Sequence, residues 1–144
     1  MLTINIYALS FHGFGNILIG DRAEELLVLA SLATNYKIDR FNLRFQSFLF
    51  RANGGKLIQY HGWSDPDIPP ANSINYYESV VRALNGEKPG ALRDTKEFYR
   101  LFLVPGMQHC TGGPGTTRFD MLTALEQWVE HDKAPDDVLG AHAT

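Results

Sequence analysis

Two residues in this chain have the types and the placing to move a proton between them. Asp65 stands three residues past Gly62 in the loop Gly-Trp-Ser-Asp-Pro-Asp-Ile-Pro-Pro. His109 stands four residues past Pro105 in the loop Pro-Gly-Met-Gln-His-Cys-Thr-Gly-Gly-Pro-Gly. A histidine can take the proton of a serine hydroxyl and return it to a leaving group. A carboxylate beside it holds the imidazole in one tautomer and stabilises the cation that forms. Each residue also has a plainer reading. Ser-Asp-Pro-Asp suits any turn, and a lone loop histidine has many uses. Asp67 is the competing acid, although it is the more natural turn or cap residue before Ile68-Pro69-Pro70. His61, at the end of a predicted strand, reads as structural. Cys110 taken alone reads as a small buried hydrophobe. A metal site built from Asp65, Asp67, His109 and Cys110 has no recognised ligand spacing, so no metal and no cofactor are expected. Gly112-Gly113-Pro114-Gly115 lacks the Lys-Ser/Thr of a phosphate loop and reads as a flexible turn.

The elements that must position the pair are legible on either side of it. Lys56 to His61 (KLIQYH) predicts a short strand closed by Gly62, and Phe98 to Val104 predicts a second. Between them the spacing predicts a helix from about Ala71 to Leu84, with Ile74, Tyr77, Val81 and Leu84 inward, stopped at Asn85-Gly86. A polar loop is expected over 86–95. A further helix is expected from about Arg118 to His131, with Phe119, Leu122, Leu125, Trp128 and Val129 inward. Upstream, residues 2–8 (LTINIYA) could form a strand. Asp21 and Glu24 in capping-box spacing precede an apolar run from Leu26 to Ala33, which predicts a helix. Phe41, Phe45, Phe48 and Phe50 are expected to mark buried surface, and Gly54-Gly55 breaks the chain. Strands alternating with helices imply a parallel sheet with crossover helices. In such sheets catalytic groups sit on loops at the carboxyl ends of the strands, which is where Asp65 and His109 fall.

Composition narrows the function classes. The chain has 144 residues, 44% hydrophobic and 20% charged, with a net charge of −3. That is a globular composition with no electrostatic footprint for nucleic acid. No apolar run approaches the roughly 18 residues of a membrane span. Met1 to Gly20 is apolar but lacks the basic start and the cleavage site of a signal peptide. With one cysteine, Cys110 has no partner in the chain.

An acid after one strand and a histidine after the next match the back half of the Ser…Asp…His order of α/β-hydrolases. The segments GGKLIQYHGWSDPDIPPANSINYYESV and FYRLFLVPGMQHCTGGPG resemble the C-terminal part of the tannase/feruloyl esterase family. That family also includes bacterial esterases acting on mono-aryl terephthalate esters. The resemblance covers residues 54–131, is loose over 36–53 and is lost over 1–35. It implies a partial α/β-hydrolase-like parallel sheet, C-terminal portion only, over 54–134, with a poorly matched segment 1–53 before it and a tail 135–144. It implies that Asp65 is the acid and His109 the base of a triad. It also implies that Cys110 pairs with a cysteine just before the nucleophilic serine. The substrate implied is an aromatic ester of gallate or hydroxycinnamate type, and the location secreted or periplasmic. Two features of the family have no counterpart here. There is no Gly-x-Ser-x-Gly or Cys-Ser, and Ser10, Ser31, Ser47, Ser64, Ser73 and Ser79 lie in no nucleophile elbow. Nor is there a segment matching the lid domain that binds the aromatic acid and a structural calcium. The expectation is therefore a portion of an esterase with the nucleophile absent from this chain. The alternative is a non-catalytic interaction or structural module descended from one. A different α/β-hydrolase, such as a peptidase or lactone hydrolase, is disfavoured by the adjacent His109-Cys110. Exposed strand edges would favour a homo-oligomer.

Overall fold

The structure is a computed structural model that describes residues 5–11, 15–21, 47–85, 88–109 and 111–142. Strand β1 (Asn5–Phe11) and strand β2 (Gly15–Asp21) form an antiparallel pair, with Asn5 opposite Asp21 and Phe11 opposite Gly15. β2 then pairs antiparallel with β3 (Lys56–Gly62), Ile17 opposite Gln59. β3 pairs in parallel with β4 (Tyr99–Val104), from Leu57 opposite Tyr99 to Gly62 opposite Val104. The sheet order is β1-β2-β3-β4. The parallel sheet expected from the sequence is thus a mixed one in which only β3 and β4 pair in parallel. The link between β1 and β2 is too short for the crossover that a parallel pair needs, so these two pair antiparallel. The first strand, expected over 2–8, lies at Asn5–Phe11. Asp21, expected to start a helix, ends β2 instead, while the rest of that helix, with Phe41 and Phe45, falls outside the described residues.

The β3–β4 crossover carries helix α1 (Ala71–Asn85) and a short helix α2 (Ala91–Lys96). Residues alternate faces along a strand, so β3 feeds two separate clusters. Leu57 joins Val80, Phe98 and Tyr99 under α1, with Phe50, Tyr76, Tyr77 and Leu84 packed against them. Ile58 joins Met121, Leu125, Trp128 and Val129 under helix α3 (Met121–His131), with Tyr60 and Phe102 alongside. With both faces covered, β3 buries its polar Gln59 and His61 as well as Leu57 and Ile58.

Several boundaries and faces differ from the expectations. Of the expected α1 stripe, Tyr77 and Leu84 pack against the core, but the fully buried positions are Ser73 and Val80 rather than their neighbours Ile74 and Val81. α2 occupies the second half of what was expected to be loop. Its Ala91 and Thr95 are one turn apart and buried, and the Thr95 hydroxyl donates to the Ala91 carbonyl at 2.9 Å. α3 begins at Met121 rather than Arg118. The Asp120 carboxylate accepts the Thr123 N–H at 2.9 Å and caps it there. Arg118–Phe119 (β5) instead pairs antiparallel with Gly140–Ala141 (β6), which ties the tail to the body. Leu122, expected inward, is 47% exposed, and Met121 takes its place in the core. Residues 47–52 are helical, and there Phe48 is exposed, contrary to expectation, while Phe50 packs edge-on to Phe98.

Candidate active site

Because β3 and β4 are parallel and Gly62 lies opposite Val104, both strands release their loops at the same end of the sheet. Backbone bonds then lace the loops together. The Trp63 N–H donates to the Val104 carbonyl at 2.9 Å, and the Ser64 N–H to the Met107 carbonyl at 3.0 Å. Gly62 allows this approach, since a Cβ there would lie 2.3 Å from the Gln108 carbonyl oxygen. The second loop is also folded back on itself, through bonds from Gly115 N–H to the Gly106 carbonyl and from Gln108 N–H to the Gly112 carbonyl. The run expected to be a flexible turn, Gly112 to Gly115, is the packed return of this loop. A Cβ on Gly113 would lie 2.2 Å from the Gly106 carbonyl oxygen.

The laced loops bring Asp65 and His109 into contact, with His109 Nδ1 2.9 Å from Asp65 Oδ2. The Asp65 side chain is only 3% exposed, while that of His109 is 39% exposed. The two sequence readings of Asp65 divide between its two oxygens. Oδ1 closes a turn by accepting the N–H groups of Asp67 at 2.8 Å and Ile68 at 2.9 Å. Oδ2 faces the imidazole. A carboxylate in this position fixes the His109 proton on Nδ1, which leaves Nε2 as the acceptor of a ring that is itself partly exposed. Among the described residues no hydrogen-bond partner for Nε2 is found. That is the polarity a general base needs.

Asp67, the competing acid, is exposed and contributes its backbone rather than its carboxylate to the contact. Asp65, Asp67 and His109 do offer one ligand atom each within 4.8 Å of one another. A cation among them would compete with the hydrogen bonds already made to both Asp65 oxygens. Two carboxylates and an imidazole by themselves also fall short of the six to eight oxygens that calcium takes. Cys110 lies outside the described residues.

Sequence reasoning set His61 aside as structural, and missed the residues behind it. His61 is 2% exposed, and its Nε2 lies 3.1 Å from Asp65 Oδ2 and 3.0 Å from the Ile68 carbonyl. Its Nδ1 lies 2.7 Å from the Ser73 hydroxyl on α1. Ser73 in turn accepts from Gln59 Nε2 at 3.0 Å, and Gln59 Oε1 accepts the Tyr99 hydroxyl. Gln59, Ser73 and Thr95 are fully buried, and Tyr99 nearly so. A signal for this cluster was present. Gln59 and His61 are polar residues two apart on a strand with both faces covered, so they must meet partners on one face.

Electrostatics at Asp65 have opposing causes. Burial by itself pushes its carboxyl up. The Ile68 N–H, the His109 imidazole and the Asp67 N–H, together with the charge His109 can carry, outweigh burial and hold the pKa below the ordinary 3.8. A depressed folded pKa stabilises the fold above the unfolded carboxylate's titration, and that contribution disappears as pH falls through the folded value. The urea midpoint is therefore expected to drop more steeply in the wild type than in Asp65→Asn between about pH 5 and pH 3. Parallel pH curves for the two would show that Asp65 gains nothing from these partners.

Comparison with known proteins places these loops among esterases. Residues 46–144 match the family model described as tannase and feruloyl esterase. An uncharacterized esterase of Xanthomonas campestris pv. campestris is 44% identical over 113 residues, which cover 64% of this chain and 20% of that protein. The mono(2-hydroxyethyl) terephthalate hydrolase of Piscinibacter sakaiensis is 53% identical over 89 residues, covering 62% of this chain and 13% of that one. The solved tannin acyl hydrolase from Aspergillus niger superposes with a TM-score of 0.57 at 32% identity, over 63% of this chain and 18% of that one. The chain thus spans about a fifth or less of the length of these relatives.

Proposed function

The chain belongs to the tannase and feruloyl esterase family, and from that premise we propose that it is the acid- and base-bearing portion of a carboxylic ester hydrolase for aromatic esters. The esters meant are of gallate or hydroxycinnamate type, or similar to the terephthalate monoester that the Piscinibacter hydrolase is named for. The observation that carries this reading is the Asp65–His109 contact, in which a buried carboxylate meets Nδ1 of a partly exposed imidazole. In the reaction, a serine hydroxyl next to His109 Nε2 loses its proton to the imidazole as its oxygen attacks the ester carbonyl. Asp65 keeps Nδ1 protonated and stabilises the imidazolium. The imidazolium then protonates the departing alcohol, which leaves an acyl-serine. Water, deprotonated by the same imidazole, releases the aromatic acid. No nucleophile elbow occurs in the 144 residues, so the serine and its oxyanion donors come from a segment outside them. Cys110 follows the base directly in the sequence, and a disulfide from it to that segment would tie nucleophile and base together.

The absence of an elbow also favours a second reading, a non-catalytic module of the same descent. A chimera separates the two. In the Piscinibacter hydrolase the aligned segment is replaced by residues 46–144 of this chain. The chimera is expected to hydrolyse an aromatic ester with burst kinetics of an acyl-enzyme, and His109→Ala in it is expected to be inactive. A folded chimera that binds substrate but does not hydrolyse it would favour the module.

A further inference from the structure

The Asp65 carboxylate is shared by two histidines, and only one of them reaches the accessible side. His61 and His109 approach the same oxygen, Oδ2, at 3.1 and 2.9 Å. We infer that His61 is a positioning residue of this site. It acts as a neutral donor that clamps the Asp65 carboxylate for His109, and a buried polar chain through Ser73, Gln59 and Tyr99 sets its tautomer. The inference rests on the reading of Asp65 and His109 as an acid–base pair.

The argument starts from the partners of the His61 ring. Nε2 faces two acceptors, Asp65 Oδ2 and the Ile68 carbonyl, so Nε2 carries the proton. In the neutral ring Nδ1 is then an acceptor, and the Ser73 hydroxyl at 2.7 Å is placed to donate to it. The Ser73 oxygen accepts from the Gln59 amide, whose oxygen accepts the Tyr99 hydroxyl. Each polar side chain hands one donor to the next, and the series ends on Asp65. Tyr99 can stand at its head because burial, with Tyr76 and Tyr77 beside it, pushes its phenol further up and keeps it protonated.

The chemistry of a neutral donor is what suits this place. A lysine or arginine donating to Oδ2 would cancel the carboxylate charge, and that charge is what stabilises a cation on His109. The His61 N–H fixes the oxygen and leaves the charge for His109. The same N–H reaches the Ile68 carbonyl, while the Ile68 N–H bonds Oδ1. One ring nitrogen thus holds both the turn and the carboxylate that the turn presents. With the Asp65 side chain 3% exposed, water is poorly placed to replace that donor.

The test uses the full chain labelled with ¹⁵N-histidine, with ring protons read by NMR. In the wild type, His61 is expected to be protonated on Nε2 alone, and His109 to show a slowly exchanging Nδ1 proton. His61→Phe is expected to lower the His109 Nδ1–H to Nε2–H ratio about tenfold, the equivalent of one lost hydrogen bond to a charged group. His61→Gln, which returns a neutral N–H near the Nε2 position, is expected to restore it. Ser73→Ala reads the same two rings without added bulk, so it decides the matter if His61→Phe fails to fold. There the His61 tautomer is expected to become mixed and the His109 proton to exchange faster. Three results overturn the inference alone. They are a wild-type His61 protonated on Nδ1, a folded His61→Phe chain with the His109 proton intact, and a Ser73→Ala chain with both rings unchanged. A wild type whose His109 has no Nδ1 proton overturns the acid–base pair, and this inference with it.

Discussion

The 144-residue chain on its own is expected to turn over methyl ferulate and methyl gallate about 10⁶-fold more slowly than a complete serine esterase. Losing the nucleophile of such an enzyme costs about that factor, and what survives comes from the oxyanion hole and from substrate binding. Here the oxyanion donors are expected to be missing too, because they belong to the residue after the nucleophile and to an early loop of the sheet. His109 remains as a positioned base. On an activated ester such as p-nitrophenyl acetate it can supply about 10²–10⁴ over water. That residue of activity should vanish in His109→Ala, and measuring both chains on all three esters checks it. Turnover near about 1 s⁻¹ on either aromatic ester would mean that a nucleophile lies within the chain. Labelling with a fluorophosphonate would then locate it, and Ser64, exposed beside Asp65, is the first serine to examine.

Asp65→Asn in the active chimera is expected to lower kcat about 10⁴-fold with little change in KM. The hydrogen bonds around Asp65 explain the size of the effect. One side of its carboxylate accepts two backbone N–H groups, from Asp67 and Ile68, and the other faces two imidazoles. An asparagine must turn its oxygen toward the backbone donors, which puts its NH₂ against the rings. A donor then meets the Nδ1–H of His109, and the imidazole relaxes by moving its proton to Nε2. In that tautomer the nitrogen facing substrate has no lone pair for a serine proton. Steady-state kinetics on the chimera would show this, and a loss below about tenfold would mean that another group orients His109.

The meeting of Asp65 and His109 was legible because each follows a predicted strand closed by Gly62 or Pro105, and because strand ends carry chemistry in parallel sheets. The extents of β3, α1 and β4 were legible to within a residue or so for the same local reasons. The hairpin of β1 and β2 was not. One strand was expected there, and β2 was not resolved from the apolar stretch around it. α2 was hidden by its shortness, because six residues are too few to show a helical period. The face of α1 was misread because apolar residues were assumed to point inward. Ile74 and Val81 drew the stripe away from Ser73, a polar residue that is fully buried because it has polar partners on β3. The α3 start was displaced because Asp120 was read as part of the helix and not as its cap.

By itself the sequence determined which residues could carry acid–base chemistry, the strands that precede them and the family the chain belongs to. These follow from local patterns: apolar period, glycine stops and the two loop motifs. Only the tertiary structure decided what each polar group does. The register that sets Gly62 opposite Val104 brings Asp65 Oδ2 to His109 and leaves Oδ1 to the turn. The packing of α1 on β3 turns His61 from a strand-end residue into a second partner of the same carboxylate. A hydrogen bond depends on direction and on separations of about 3 Å between atoms far apart in the chain. Local residue preferences act over a few neighbours, and so they contain neither.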